Sequence, residues 1–109
     1  MFDKVSFIIR NKLFILSDYE LIFKCLDKDI LVSSLACEEL VRRNPINIDI
    51  DEKILSLVVN KFSIEQVWDL VSRNVDSKLS KLAYQKLNDF LDYYDKVNEK
   101  SKVKLYLIK

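Results

Sequence analysis

Asp29-Ile-Leu-Val-Ser-Ser-Leu-Ala-Cys-Glu-Glu-Leu40 and Asp76-Ser-Lys-Leu-Ser-Lys-Leu-Ala-Tyr-Gln-Lys-Leu87 follow one pattern. Aspartate, serine, leucine, alanine and leucine recur in register, and Val32 faces Leu79. Ala36 and Ala83, the only two alanines of the chain, stand 47 residues apart. A period in the forties is the length of a stacked helical hairpin. In such a hairpin the helices approach to ~8–10 Å, and the closest point needs a small side chain. Ala36 and Ala83 fit that point, with Leu35, Leu40, Leu82 and Leu87 filling the space around it.

Helix starts reinforce the repeat. A capping box needs a side-chain oxygen followed three residues later by Glu or Gln. Ser17 with Glu20, Asp49 with Glu52, and Ser63 with Gln66 satisfy it. Ser17 and Ser63 are 46 residues apart, so cap and alanine repeat together with one residue inserted between them. Asp29 and Asp76 fall at or near the start of the second helix of each hairpin, where a carboxylate complements the helix dipole.

The remaining map follows from periodicity. Helices are predicted over about 18–26, 29–43, 51–61, 63–73 and 76–99. Leu21, Ile22, Cys25 and Leu26 are the apolar side of the first, and Ile54, Leu55, Val58 and Val59 that of the third. Ile64, Val67, Trp68 and Val71 are expected to face inward from the fourth. The last carries a stripe of Leu79, Leu82, Ala83, Leu87, Phe90, Leu91, Tyr94 and Val97. Asn44-Pro45 stops the second helix, since proline disfavours helix in the residue before it. The ends admit two readings. Residues 2–16 suit a helix, or a short β hairpin turning at Arg10-Asn11; Val103–Ile108 partly alternates and suits a third strand. The fold class is thus mainly α, as stacked antiparallel helical hairpins or a small irregular bundle, in a single domain over residues 1–109.

Composition adds constraints. Half of the 109 residues are hydrophobic, enough for a core, and the net charge is +1. The charge is uneven: residues 49–95 carry six basic and nine acidic side chains, whereas 96–109 carry five lysines and Glu99. Glycine is absent, where an ordinary content of ~7% would give about seven or eight. An AT-rich coding sequence accounts for the scarcity of Gly, Ala and Pro. Every turn must therefore be made without glycine, and asparagine is the best substitute at left-handed positions. Asn44, Asn60 and Asn74 each fall where a helical pattern stops.

The chemistry is sparse. Without histidine there is no Ser-His-Asp or Cys-His machinery and no histidine metal site; without glycine there is no Walker loop and no dinucleotide fingerprint. Cys25 and Cys37 read as buried free thiols, with a reducing, intracellular (cytoplasmic) compartment the expectation. No run reaches the ~18–20 apolar residues of a membrane span, and no cofactor or metal is expected. Asp49, Asp51, Glu52 and Lys53 resemble an acid-plus-lysine set, but a helix start favours acids electrostatically and capping is the reading preferred. Asp89, Asp92 and Asp95 line one polar side of the last helix, either as a solvated face or as an acidic docking strip. Lys96, Lys100, Lys102 and Lys104 are candidate phosphate contacts; they serve equally to keep an apolar end in solution. Trp68, expected in the core, and Tyr93, beside the main stripe, are candidate interface aromatics.

The aspartate–small aliphatic–alanine–leucine pattern at residues 17–43 and 63–90 resembles HEAT-like repeats, with 49–61 as an intervening helix. It departs from that family at Ser33 and Ser80, where an arginine is common, and in lacking the proline of the first helices. The resemblance implies a scaffold that presents a helical face to another protein, or sometimes to a nucleic-acid backbone. From it follows the expectation of a non-catalytic protein-binding module: a small regulator, inhibitor or immunity factor from a low-GC microbe, phage or plasmid. Homo-oligomerisation is open, and nucleic-acid binding by the lysine-rich end is the alternative.

Overall fold

A computed structural model describes residues 4–73 and 75–108, with side chains described as far as Lys96. Six helices follow one another: α1 (Lys4–Phe14), α2 (Asp18–Cys25), α3 (Ile30–Arg43), α4 (Glu52–Lys61), α5 (Ile64–Ser72) and α6 (Lys78–Ile108). Among the described residues there is no strand. The N-terminal stretch that also reads as a hairpin is α1, and Val103–Ile108 continues α6. Among these residues no helix is long and apolar enough to cross a membrane.

The two closest pairings are α2 on α3 and α5 on α6, the two hairpins of the repeat. α3 is the hub, touching α1, α2, α4 and α5, and α4 also packs on α6. Ala36 and Ala83 are fully buried, with Leu35, Leu40 and Leu87 buried beside them and Leu82 half-buried. Leu21, Ile22, Cys25, Leu55, Val58, Val67, Leu70 and Leu79 are fully buried in the same interior.

Capping agrees with the sequence at three starts. The Glu20 N–H donates to Ser17 Oγ at 3.2 Å, and the Gln66 N–H to Ser63 Oγ at 3.1 Å. Asp29 accepts from the N–H groups of Leu31 and Val32. The fourth start differs: Asp51, not Asp49, caps α4 by accepting from the Lys53 N–H at 2.9 Å. Asp49 lies before the helix, its own N–H donating to the Tyr19 hydroxyl. In the second copy Ser77 takes the capping position, accepting from the Ser80 N–H at 3.0 Å, and Asp76, one residue earlier, pairs with Lys81.

The C-terminal ends show how a chain without glycine closes its helices. Asn44 adopts the left-handed conformation (φ 41°, ψ 62°), as expected for the residue that replaces glycine there. Asn60 does not: it is helical within α4. Asn74 lies outside the described residues. Elsewhere, long cations from a later helix reach the last carbonyls of an earlier one. Arg43 donates to the carbonyls of Leu13 and Phe14 at the end of α1 and of Leu16 just beyond it. Arg73 donates to those of Val41 and Arg42 at the end of α3. Lys86 donates to those of Val59 and Phe62 at the end of α4, both at 2.9 Å. Cations there satisfy orphan acceptors and oppose the negative end of the helix dipole.

Two expectations about faces need correction. Ile64 and Trp68 point outward; α5 buries Val67 and Leu70, and at 100° per residue Trp68 lies well round the helix from them. The α6 stripe is buried only in its first half. Leu79, Ala83 and Leu87 are covered, whereas every described residue from Asn88 to Lys96 is exposed, including Phe90, Leu91 and Tyr94. Val97 lies beyond the described side chains. The radius of gyration, 17.0 Å, exceeds the ~13 Å of a spherical domain of this length, consistent with α6 running on past the helices that cover its beginning.

Candidate interaction surface on α6

Between Leu82 and Tyr93, α6 forms with α4 an open groove of about 400 Å³. Val59, Leu82, Phe90 and Tyr93 supply its apolar lining; Ser56, Asn60, Gln85 and Asp89 supply its polar part. Lys86 also lines it, but its ammonium is held by the Val59 and Phe62 carbonyls. Partial burial lowers the Lys86 pKa by desolvating the charge, and the nearby Cys37 works the other way. Phe90 stacks on Tyr94, the ring centres 6.4 Å apart, which fixes Phe90 along the helix. Tyr93 is 67% exposed, a large aromatic held up to solvent on a rigid element.

The structure brings some of the candidate residues together and separates others. Tyr93 and Asp89 line the same groove; Asp92, less than one turn further along α6, is exposed but does not line it. Trp68, 60% exposed, is on α5 and not in the groove. Lys96 is exposed at the far end of the described side chains; those of Lys100, Lys102 and Lys104 lie outside them. Asp51 is engaged as a helix cap, and among the described residues no group of three or more acidic or thiol side chains is placed to hold a metal ion.

A second depression, about 460 Å³ between α1, α3 and α5, is lined by charges that satisfy one another. Arg10 pairs with Glu38 at 2.6 Å, and Arg73 with Asp69 at 2.7 Å. Arg42 meets Glu39 through two bonds of 2.8 and 2.7 Å, and Arg43 adds a third to the same carboxylate at 2.8 Å. The bonds from Arg42, with those from Arg43, hold the Glu39 carboxyl at about 2, well below its ordinary value of 4.5. Fork-shaped guanidiniums suit this bidentate geometry. The network braces α1 and α2 against α3, because Arg43 also pairs with Asp18 at 3.1 Å.

Cys25 and Cys37 are both buried free thiols. The hydrogen bond shared with Cys37, together with burial, pushes Cys25 far above the ordinary thiol range; the same bond lowers Cys37, aided by Ser33 and by the charges of Lys61 and Lys86.

Sequence reading missed two functional features. The groove depends on how α4 and α6 pack together, which no local sequence signal marks. The cationic caps join residues 24 to 32 positions apart; the only available signal was the absence of glycine, which requires some other group at those ends. Set beside known proteins, the chain matches no family model, no curated protein and no solved structure.

Proposed function

We propose that this chain is a non-catalytic protein-binding module, and that it takes a helical segment of another protein into the groove between α4 and α6. The observation that carries this reading is the groove itself, lined by Leu82 and Phe90 of the α6 stripe, by Tyr93 beside it and by Asp89. An amphipathic helix lays its apolar face into such a groove and is read by anchors at three- and four-residue spacing. Tyrosine anchors contribute much of the energy in interfaces of this kind, and the acids at the rim select partners whose flanking residues are basic.

The HEAT-like reading fits the same role, since stacked hairpins serve as scaffolds. A chain of this size suits a small regulator, inhibitor or immunity factor of a low-GC microbe, phage or plasmid, acting in the cytoplasm with both thiols reduced. The test is a tagged pull-down from a low-GC bacterial lysate with and without nuclease. One protein retained in near-stoichiometric amount after nuclease is the expected result. Bound material that disappears with nuclease would transfer the function to the lysine-rich end, with the steep salt dependence of phosphate contacts.

A further inference from the structure

We propose that Cys25 and Cys37 are a peroxide-sensitive pair: a hydroperoxide entering the depression at the α2–α3 turn oxidises Cys37, and Cys25 then closes a disulfide onto it. The inference does not depend on what the α4–α6 groove binds. Cys25 is the last residue of α2, and Cys37 lies in the middle of α3, the two helices of the first hairpin. Ser33 sets the register between them. Its hydroxyl donates to the Cys25 carbonyl, and Cys37 follows one turn later on the same face of α3. The two thiols are neighbours that share a hydrogen bond. A disulfide between them therefore calls for rotation of side chains, with the hairpin left in place.

The two sulfurs differ in access and in charge. Both are buried, but Cys37 lines an open depression of about 350 Å³, together with Asp27, Lys28, Ser33 and Lys61. Cys25 does not line it. A hydroperoxide of the size of hydrogen peroxide is little larger than water and fits such a space. The shared bond keeps the proton on Cys25 and favours the thiolate at Cys37; Ser33 and the charges of Lys61 and Lys86 act the same way, against burial. The thiolate is the nucleophile in thiol oxidation. Cys37 is thus the residue attacked first, and Cys25 the one that resolves it.

The chemistry has two steps. The Cys37 thiolate attacks the outer oxygen of the hydroperoxide; an S–O bond forms, the O–O bond breaks, and the leaving hydroxide or alkoxide takes a proton from solvent. The Cys25 sulfur then attacks the Cys37 sulfenic sulfur. An S–S bond forms, the S–O bond breaks, and the departing hydroxide takes the Cys25 proton and leaves as water. The two sulfurs together give up two electrons, and the peroxide accepts them. Thiol–disulfide exchange with a reducing dithiol returns the pair to its resting state. The product ties the end of α2 covalently to α3, the hub of the fold.

The test treats the reduced full chain with hydrogen peroxide at neutral pH without denaturant, removes the peroxide with catalase, then unfolds and alkylates the protein for mass spectrometry. Wild type is expected to lose both thiol hydrogens, to take up no alkylating agent, and to give a Cys25 peptide linked to the Cys37 peptide of the same chain; dithiothreitol restores both thiols. Cys25→Ala is expected to stop at a sulfenic acid on Cys37, trapped by dimedone, and Cys37→Ala to leave Cys25 unoxidised. The linked peptide is read on wild type alone, so the proposal stays testable if a cysteine variant does not fold. Ser80→Ala separates entry into the folded chain from reaction of unfolded chains, because it weakens the fold away from the pair. Its rate of disulfide formation is expected within about threefold of wild type; a larger rise, following the greater unfolded population, overturns the proposal. Two free thiols after peroxide, a disulfide between chains, or trapping at Cys25 in the folded Cys37→Ala variant overturns it as well.

Discussion

Ser33 and Ser80 hold the same post in the two hairpins: Ser33 Oγ donates to the Cys25 carbonyl at the end of α2, and Ser80 Oγ to the Leu70 carbonyl near the end of α5, at 3.4 Å. Each ties the second helix of its hairpin to the last turn of the first. Ser80 does more, because it also accepts from Asn44 Nδ2 at 3.2 Å, while Ser77 donates to Asn44 Oδ1 at 2.8 Å. The left-handed Asn44 is thereby locked between the two hairpins.

This asymmetry predicts unequal costs. Ser33→Ala removes the bond to the Cys25 carbonyl and the contact with Cys37 but strands no side-chain amide, and is expected to destabilise by about 1 kcal/mol. Ser80→Ala also strands a buried amide of Asn44 and is expected to cost about 2–3 kcal/mol. Urea unfolding with an unchanged m-value checks both. Equal costs would mean that Asn44 finds another partner.

The buried alanines predict a second result. Ala36 and Ala83 have no exposed surface, and each lies on the second helix of its hairpin. Enlarging either to leucine forces the hairpin apart, with an expected loss of about 1–3 kcal/mol, read from the urea midpoint. Leu57→Ala, an exposed position on α4, is the control and is expected to stay within about 0.5 kcal/mol.

Acid stability follows from Glu39. Its carboxyl is held at about 2 in the folded chain against an ordinary 4.5, by bonds from Arg42 and Arg43. A depressed carboxyl contributes stability that is complete above the unfolded value and is lost as pH falls through the folded one. The window is therefore between about pH 4.5 and 2. Thermal unfolding of wild type and Glu39→Gln across that window is the check. Wild type is expected to be the more stable above it, and the two are expected to converge toward its acid end.

The hairpins were legible because their signals are local. Ser17 with Glu20, Ser63 with Gln66, and the two Leu-Ala pairs each read within a few residues, and helix ends fell within a residue or two of expectation except the last, where α6 runs to Ile108 and not to about 99. The surface was less legible. Trp68 is apolar and in helical step with Ile64 and Val71, yet it faces solvent because α5 is covered along Val67 and Leu70. Phe90 and Tyr94 continue the register of Leu79, Ala83 and Leu87, and periodicity cannot say where the covering helix ends. The caps from Arg43, Arg73 and Lys86 depend on tertiary contacts that no sequence window contains.

The groove on α6 is the centre of the account, and one comparison tests it most directly. Wild type, Tyr93→Ala and Trp68→Ala are used as baits in parallel, with nuclease present. Both aromatics are largely exposed, so neither change should move stability by more than about 0.5 kcal/mol. Wild type and Trp68→Ala are expected to retain the same protein in near-stoichiometric amount, and Tyr93→Ala to lose it. Retention by Tyr93→Ala equal to that of wild type would contradict the assignment of the groove as the binding site.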